Sequence, residues 1–214
     1  MNKLCITNLT KIIRNRTVLD HINMTVDSGK IYGLVGKNGS GKTMLIRSIS
    51  GTLIPTEGTI QWNESVLYRD IDFIPNTGVL IENIGLSQQF SGFDNLKLIA
   101  KIKKKIRDED ITEVLKKVGL DPADKQPVKK YSLGMRQKLA IAQAIMEHPD
   151  LLLLDEPTNA LDDTSCQTVR TILEEEAHRG ACIIIASHNQ EDIFSLCHEI
   201  YTMHNGILTK NIEE

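Results

Sequence analysis

Ile31-Tyr32-Gly33-Leu34-Val35-Gly36-Lys37-Asn38-Gly39-Ser40-Gly41-Lys42-Thr43 is the stretch that decides the fold. Ile31–Val35 is an apolar run of buried-strand length. Gly36–Thr43 then fits G-x-x-x-x-G-K-[ST], and from Lys42 the chain reads as a helix to about Ser50, closed by Gly51. Strand, loop and helix in that order give the pattern its meaning. Glycines let the backbone curl into a nest whose N–H groups point inward at phosphate oxygens, and the following helix adds its positive end. Gly36, Lys37, Asn38, Gly39, Ser40 and Gly41 would line that nest. Lys42 is expected to reach β/γ-phosphates and Thr43 to hold Mg²⁺.

A second stretch completes the first. Leu151-Leu152-Leu153-Leu154 reads as a buried strand that delivers Asp155 at its carboxyl end, where ligands of α/β sheets bind. Asp155 is the candidate Mg²⁺ acid, and the adjacent Glu156 is free to orient a water as general base.

Working outward, the first third of the chain reads as short strands: Leu4–Asn8, an alternating Val18–Val26, and Gly58–Trp62, with a turn at Asp27-Ser28-Gly29. The middle third turns helical. Leu96, Ile99, Ile102 (or Lys103) and Ile106 follow one helical spacing; Ile111, Val114, Leu115 and Val118 follow another, ending at Gly119. Lys101, Lys103, Lys104 and Lys105 make a basic run there, read as a solvated face or as contact with a partner or anionic lipid. In the last third, Ser132 caps a helix to about Glu147, and Thr164 with Gln167 matches a capping box. Ala181–Ala186 is a further buried strand, and His198–Met203 pairs with Ile207–Thr209 around Asn205-Gly206. Strands alternating with helices predict an α/β fold with a mostly parallel sheet, the helical middle being an insertion.

Composition narrows the class. Hydrophobic residues make up 41% of 214 before the 14 glycines are counted, which reaches the ~45–50% apolar content of folded domains and excludes wholesale disorder. No apolar run approaches the ~18 residues of a membrane span, and the first eight residues lack a signal-peptide core. The expectation is a soluble cytoplasmic chain. A net charge of −3 argues against an obligate nucleic-acid partner. Cys5, Cys166, Cys182 and Cys197 are scattered without metal-site spacing, so they read as reduced thiols.

Two more pieces select a family. Tyr131-Ser132-Leu133-Gly134-Met135-Arg136-Gln137 opens a helix just upstream of the acidic strand, and its Ser and Gly make a second, weaker anion-binding end. Thr158-Asn159-Ala160-Leu161-Asp162 follows Glu156, and Ser187-His188 ends the next strand. The ordered set resembles an ATP-binding cassette (ABC) ATPase over essentially the whole chain: Walker A, signature, Walker B, D-loop and switch His. The YSLGM(R)Q form of the signature resembles the branch that powers export of, or immunity to, peptide antibiotics such as bacitracin and lantibiotics.

The resemblance implies a P-loop NTPase core with an N-terminal antiparallel β subdomain over residues 1–81 and 150–214, and an inserted α-helical subdomain over 82–149. It implies that Gly36 through Thr43 hold ATP·Mg²⁺, that Asp155 is the Mg²⁺ acid and Glu156 the base, and that His188 contacts the γ-phosphate. Ser132 and Gly134 would meet the ATP bound by the other subunit, and Asp162 would join the two sites. It further implies a partner ATPase (a second copy or a homologue) and a separately encoded transmembrane permease, with the chain peripheral on the inner membrane face. A soluble relative acting on ribosomes or DNA is the alternative; one cassette, no heptad run and no basic tail weigh against it.

Three positions depart from the commonest family pattern. Leu133 and Met135 stand where Gly and Gln are usual. Glu82 occupies the position of the usual loop Gln, unless Gln88 or Gln89 serves instead. Ile13 falls where an aromatic platform for adenine is common. Stacking on a ring is worth up to a few kcal/mol, so Ile13 implies weak discrimination between ATP and GTP.

Overall fold

The computed structural model describes residues 1–81, 85–188 and 190–211. Glu82 therefore lies outside the described residues.

Among the described residues, ten strands and six α-helices follow one another: β1 (Lys3–Ile13), β2 (Arg16–Asp27), β3 (Ile31–Val35), α1 (Lys42–Ile49), β4 (Glu57–Trp62), β5 (Ser65–Val66), β6 (Thr77–Leu80), α2 (Gly92–Lys103), α3 (Asp108–Lys117), α4 (Leu133–Ile145), β7 (Leu151–Asp155), α5 (Asp163–His178), β8 (Cys182–Ser187), α6 (Gln190–Leu196), β9 (Glu199–His204) and β10 (Ile207–Lys210). They form two sheets, an antiparallel one in the order β2-β1-β4-β5 and a mainly parallel one in the order β10-β9-β3-β8-β7-β6. The chain is thus α/β, with the antiparallel sheet built largely from its N-terminal third.

Strands β3, β7 and β8 are buried along their whole length, so their sequences read as continuous apolar runs. The pleat still sorts them. Ile31, Val35, Leu152, Leu154, Ile183 and Ile185 face one core with α4 and α5. Tyr32, Leu34, Leu151, Leu153, Cys182 and Ile184 face the other, with α1 and the antiparallel sheet. Leu151, Leu152, Leu153 and Leu154 are each fully buried, worth about 2 kcal/mol apiece as an upper figure. Burial also pushes the Cys182 and Cys197 thiols up to about 12, so both stay protonated.

Local chemistry explains most boundaries. The Ser91 hydroxyl accepts the Asp94 N–H to open α2, and the Ser132 hydroxyl accepts the Met135 N–H to open α4. Asn205 and Gly206 take φ of 47° and 83°, the left-handed pair a two-residue hairpin needs. Two readings are corrected and two elements are added. The cap of helix α5 lies two residues before Thr164: the Asp162 carboxylate accepts the Ser165 N–H at 2.8 Å, and the helix starts at Asp163. The α2 periodicity does not continue to Ile106: Lys104 turns left-handed at φ 53°, and Ile102 is 79% exposed. Strand β6 and helix α6 carry no clear pattern in the sequence; β6 is four residues long and includes Gly78, whose missing side chain lets α4 approach.

Candidate nucleotide site

Parallel pairing assembles the site. Val35 of β3 is in register with Ser187 of β8, and Asp155 of β7 with Ala186 of β8. The carboxyl ends of three strands therefore share one edge, and the residues just beyond them converge there.

A cleft of about 800 Å³ opens at that edge, lined by Asn38–Met44, Asp155 and Glu156, together with Arg16–Val18, Arg47 and the Asn205-Gly206 turn. Its floor is the glycine loop. A Cβ at Gly36 would lie 2.3 Å from the Met203 carbonyl oxygen, and one at Gly41, where φ is 119°, 2.9 Å from the Val18 carbonyl. Those positions exclude any side chain. Gly39 (φ 77°) would meet nothing within 4 Å, so the cleft side of the loop is open. Lys42 is only 6% exposed, and its ammonium donates to the Gly36 carbonyl at 2.6 Å and the Lys37 carbonyl at 3.4 Å, curling the loop around a positive charge. The Ser40 hydroxyl is buried in the same loop with no hydrogen-bond partner among the described residues. A buried cation, an orphaned hydroxyl and a helix N-terminus fit a phosphate.

The opposite wall supplies oxygen ligands. Thr43 donates its hydroxyl to the Asp155 carboxylate at 2.6 Å, and Asp155 is 6% exposed. A hydroxyl and a carboxylate side by side are the donors Mg²⁺ prefers.

Glu156 follows at once, in the left-handed region with φ 52°. That bend turns its side chain off the strand line. Its carboxylate receives the His188 backbone N–H at 2.9 Å and the Ser187 hydroxyl at 3.1 Å, and the His188 ring Nδ1 lies 2.9 Å away. Glu156 borders both the main cleft and a second hollow of about 480 Å³, walled by residues 158–161, Cys166, Arg170 and His188.

The expected residues thus fall into two groups. Asn38–Thr43, Asp155 and Glu156 line one cleft, Gly36 and Lys37 offer their carbonyls to Lys42 behind it, and His188 touches Glu156. Ser132 and Gly134 are not among the residues lining that cleft; they open α4, where a Cβ on Gly134 would lie 3.1 Å from the Ala160 carbonyl. Asp162 caps α5, and its carboxyl is held below the usual range by hydrogen bonds from the Ser165 hydroxyl and N–H. Ile13 sits at the end of β1 opposite Arg16, and of that hairpin Arg16, Thr17 and Val18 line the cleft. Sequence reading missed these three and Arg47, and it named Gln137 only as the end of the Tyr131–Gln137 stretch. The Asn205-Gly206 turn was legible as a hairpin, but not as a wall.

An anion-binding loop, a hydroxyl–carboxylate pair and a carboxylate–imidazole pair on one edge of a parallel sheet define a nucleotide-binding α/β protein. The ABC transporter family model matches residues 19–159. The chain belongs to that family as an ATP-binding domain, and the family is one of ATPases. It is 51% identical over 203 residues to the ABC transporter ATP-binding protein YybJ of Bacillus subtilis, covering 95% of this chain and 93% of the relative. The lantibiotic transport ATP-binding protein SrtF of Streptococcus pyogenes is 37% identical, covering 94% of this chain and 86% of SrtF. The bacitracin transport ATP-binding protein BcrA of Enterococcus faecalis is 36% identical, covering 96% and 67%. Among solved structures, the dimeric MJ0796 cassette superposes with a TM-score of 0.87 at 20% identity, over 99% of this chain and all of that one, a likeness of fold. Among the described residues, no helix is long and apolar enough to cross a membrane.

Proposed function

We propose that the chain hydrolyses ATP as one half of a dimer and powers a separately encoded membrane permease, in the branch that exports or resists peptide antibiotics. Residues 82–149 would be the helical subdomain that meets that permease, and the working place is the inner membrane face. The observation that carries the hydrolytic reading is the convergence of Lys42, the Thr43–Asp155 pair and the Glu156–His188 pair on one sheet edge. SrtF and BcrA support the substrate class.

Each residue has a task that its surroundings suit. The loop N–H groups of Gly36–Thr43 and the N-terminus of α1 bind the β- and γ-phosphates, and Lys42 exchanges its carbonyl partners for phosphate oxygens. Thr43 and Asp155 would hold Mg²⁺, which when bound neutralises charge on the phosphate oxygens. Glu156 takes the proton of the attacking water. His188 fixes the Glu156 carboxylate and contacts the γ-phosphate. Ser132 and Gly134 reach the ATP of the second copy, and Asp162 lies between the two sites.

The test is Glu156→Gln. Turnover is expected to fall below detection while ATP drives the chain into a stable dimer, seen by size-exclusion chromatography with light scattering. A variant that stays monomeric and hydrolyses at the parent rate would sink both the base assignment and the composite site.

A further inference from the structure

Gln137 lies on the first turns of α4, and its side chain reaches nineteen and twenty residues along the chain. Its carboxamide nitrogen donates to the Glu156 carbonyl and to the Pro157 carbonyl, both at 2.9 Å. Those are the two backbone groups at the bend that aims Glu156. A residue with a Cβ takes left-handed φ only at a cost of about 1 kcal/mol or more, so the bend persists because neighbours hold it. On the strand side, the Glu156 N–H donates to the Ala186 carbonyl at 2.8 Å. On the other side the Glu156 carbonyl also accepts the Asn159 N–H at 3.3 Å within the loop, and Gln137 is the clasp that comes from α4.

The same helix turn touches the loop once more. Gly134 precedes Gln137 by three residues, one helical turn, and its Cα packs so close to Ala160 that an added Cβ would lie 3.1 Å from that carbonyl. Ala160 is itself left-handed, with φ 63°. Two strained positions of the loop after β7 are therefore both seated on the opening of α4. The end of that helix, Ser132, is exposed and does not line its own cleft.

We infer that Gln137 is a positioning residue: its carboxamide holds the Glu156–Pro157 backbone, so that a nucleotide of the second copy meeting Ser132 sets the aim of Glu156 in this one. The inference rests on the proposed roles of Glu156 and Ser132. It makes hydrolysis at one site sensitive to occupancy of the other without any new contact to the phosphates. The link is a pair of hydrogen bonds, so it depends on donation and not on shape.

Two substitutions separate these. Gln137→Met keeps the length and removes the donor; Gln137→Lys keeps a donor that can serve both carbonyls. We expect Gln137→Met to lower kcat on the order of 10–100-fold with KM and ATP affinity within about twofold, because misaiming a base costs rate and not binding. Gln137→Lys is expected to recover most of that rate. Thermal melting of each variant checks that it is folded. Placed in the Glu156→Gln background, Gln137→Met should leave the ATP-dependent dimer intact. A parent-like kcat in Gln137→Met overturns the inference, as does equal slowing of both folded variants or loss of the ATP-dependent dimer. If Glu156→Gln alone retains turnover, the base assignment fails first, and that outcome is distinct from a normal Gln137→Met beside an inactive Glu156→Gln.

Discussion

Thr43 and Asp155 stand 112 residues apart in the chain, yet the hydroxyl of one donates to the carboxylate of the other at 2.6 Å. Strand β8 makes this possible, because β3 and β7 flank it in parallel and end level with it. A loop after one strand and an acid at the tip of another then face each other across the cleft.

Thr43→Val should separate folding from ion binding. The substitution keeps the shape and removes one hydrogen bond to a charged group, so stability falls by about 1–3 kcal/mol. The larger effect is on the ion: the extra rise in melting temperature that Mg²⁺ adds to ATP should vanish. Differential scanning fluorimetry with ATP, with and without Mg²⁺, measures both, and an undiminished Mg²⁺ increment would count against Thr43 as a ligand.

Ser132→Arg tests whether the second anion-binding end serves another copy. Ser132 and Gly134 do not line the cleft of their own chain. Hydrolysis is therefore expected to drop at least tenfold, about 1.4 kcal/mol of transition-state stabilisation, with ATP affinity within about twofold. Titration with a fluorescent ATP analogue beside a phosphate-release assay gives the two numbers. Equal losses would place Ser132 in its own nucleotide's shell.

Base discrimination should be weak. No aromatic ring is among the described residues lining the cleft; Arg16, Thr17 and Val18 form the wall beyond the phosphate loop. GTP hydrolysis within about tenfold of ATP is expected, a gap of about 1.4 kcal/mol. A preference above a hundredfold, read from kcat/KM with each nucleotide, would contradict a ring-free base site.

Gly78→Ala is the stability counterpart, remote from chemistry. A Cβ there would lie 2.0 Å from the Ala144 backbone oxygen, so α4 must move away from β6. Overpacking of this kind costs about 2–3 kcal/mol. For a chain of this length the melting temperature should drop by roughly 5–10 °C. An unchanged melting curve would mean that α4 shifts freely against the sheet.

Much of the candidate site was legible because its parts are local in sequence. The glycine loop lies between a buried strand and a helix, and Asp155-Glu156 caps a four-leucine strand. Ser132 and the Asn205-Gly206 turn were found by cap and turn chemistry acting over two or three residues, whereas Asp162 came from the family resemblance and the helix cap was expected at Thr164. The place of Ile13 was inferred by resemblance, because a hairpin's tip is set by register shifts at Ile6/Leu9, Leu9/Lys11 and Lys11/Ile12 that alternation does not reveal. Strand β6 was missed because it is four residues long and Gly78 meets the backbone of α4, leaving Val79 and Leu80 as too short a side-chain pattern.

The amino-acid sequence by itself determined the α/β class, the phosphate loop, the acid pair and the family, since each is written in contiguous residues whose hydrogen bonds and φ angles close locally. Tertiary structure alone decided which residues meet: Thr43 with Asp155, Glu156 with His188 and Ser187, and Gln137 with the Glu156–Pro157 backbone. Those contacts depend on the order of strands in a parallel sheet and on how closely α4 seats against it. Both follow from burying two apolar faces at once, and no short stretch of sequence encodes that.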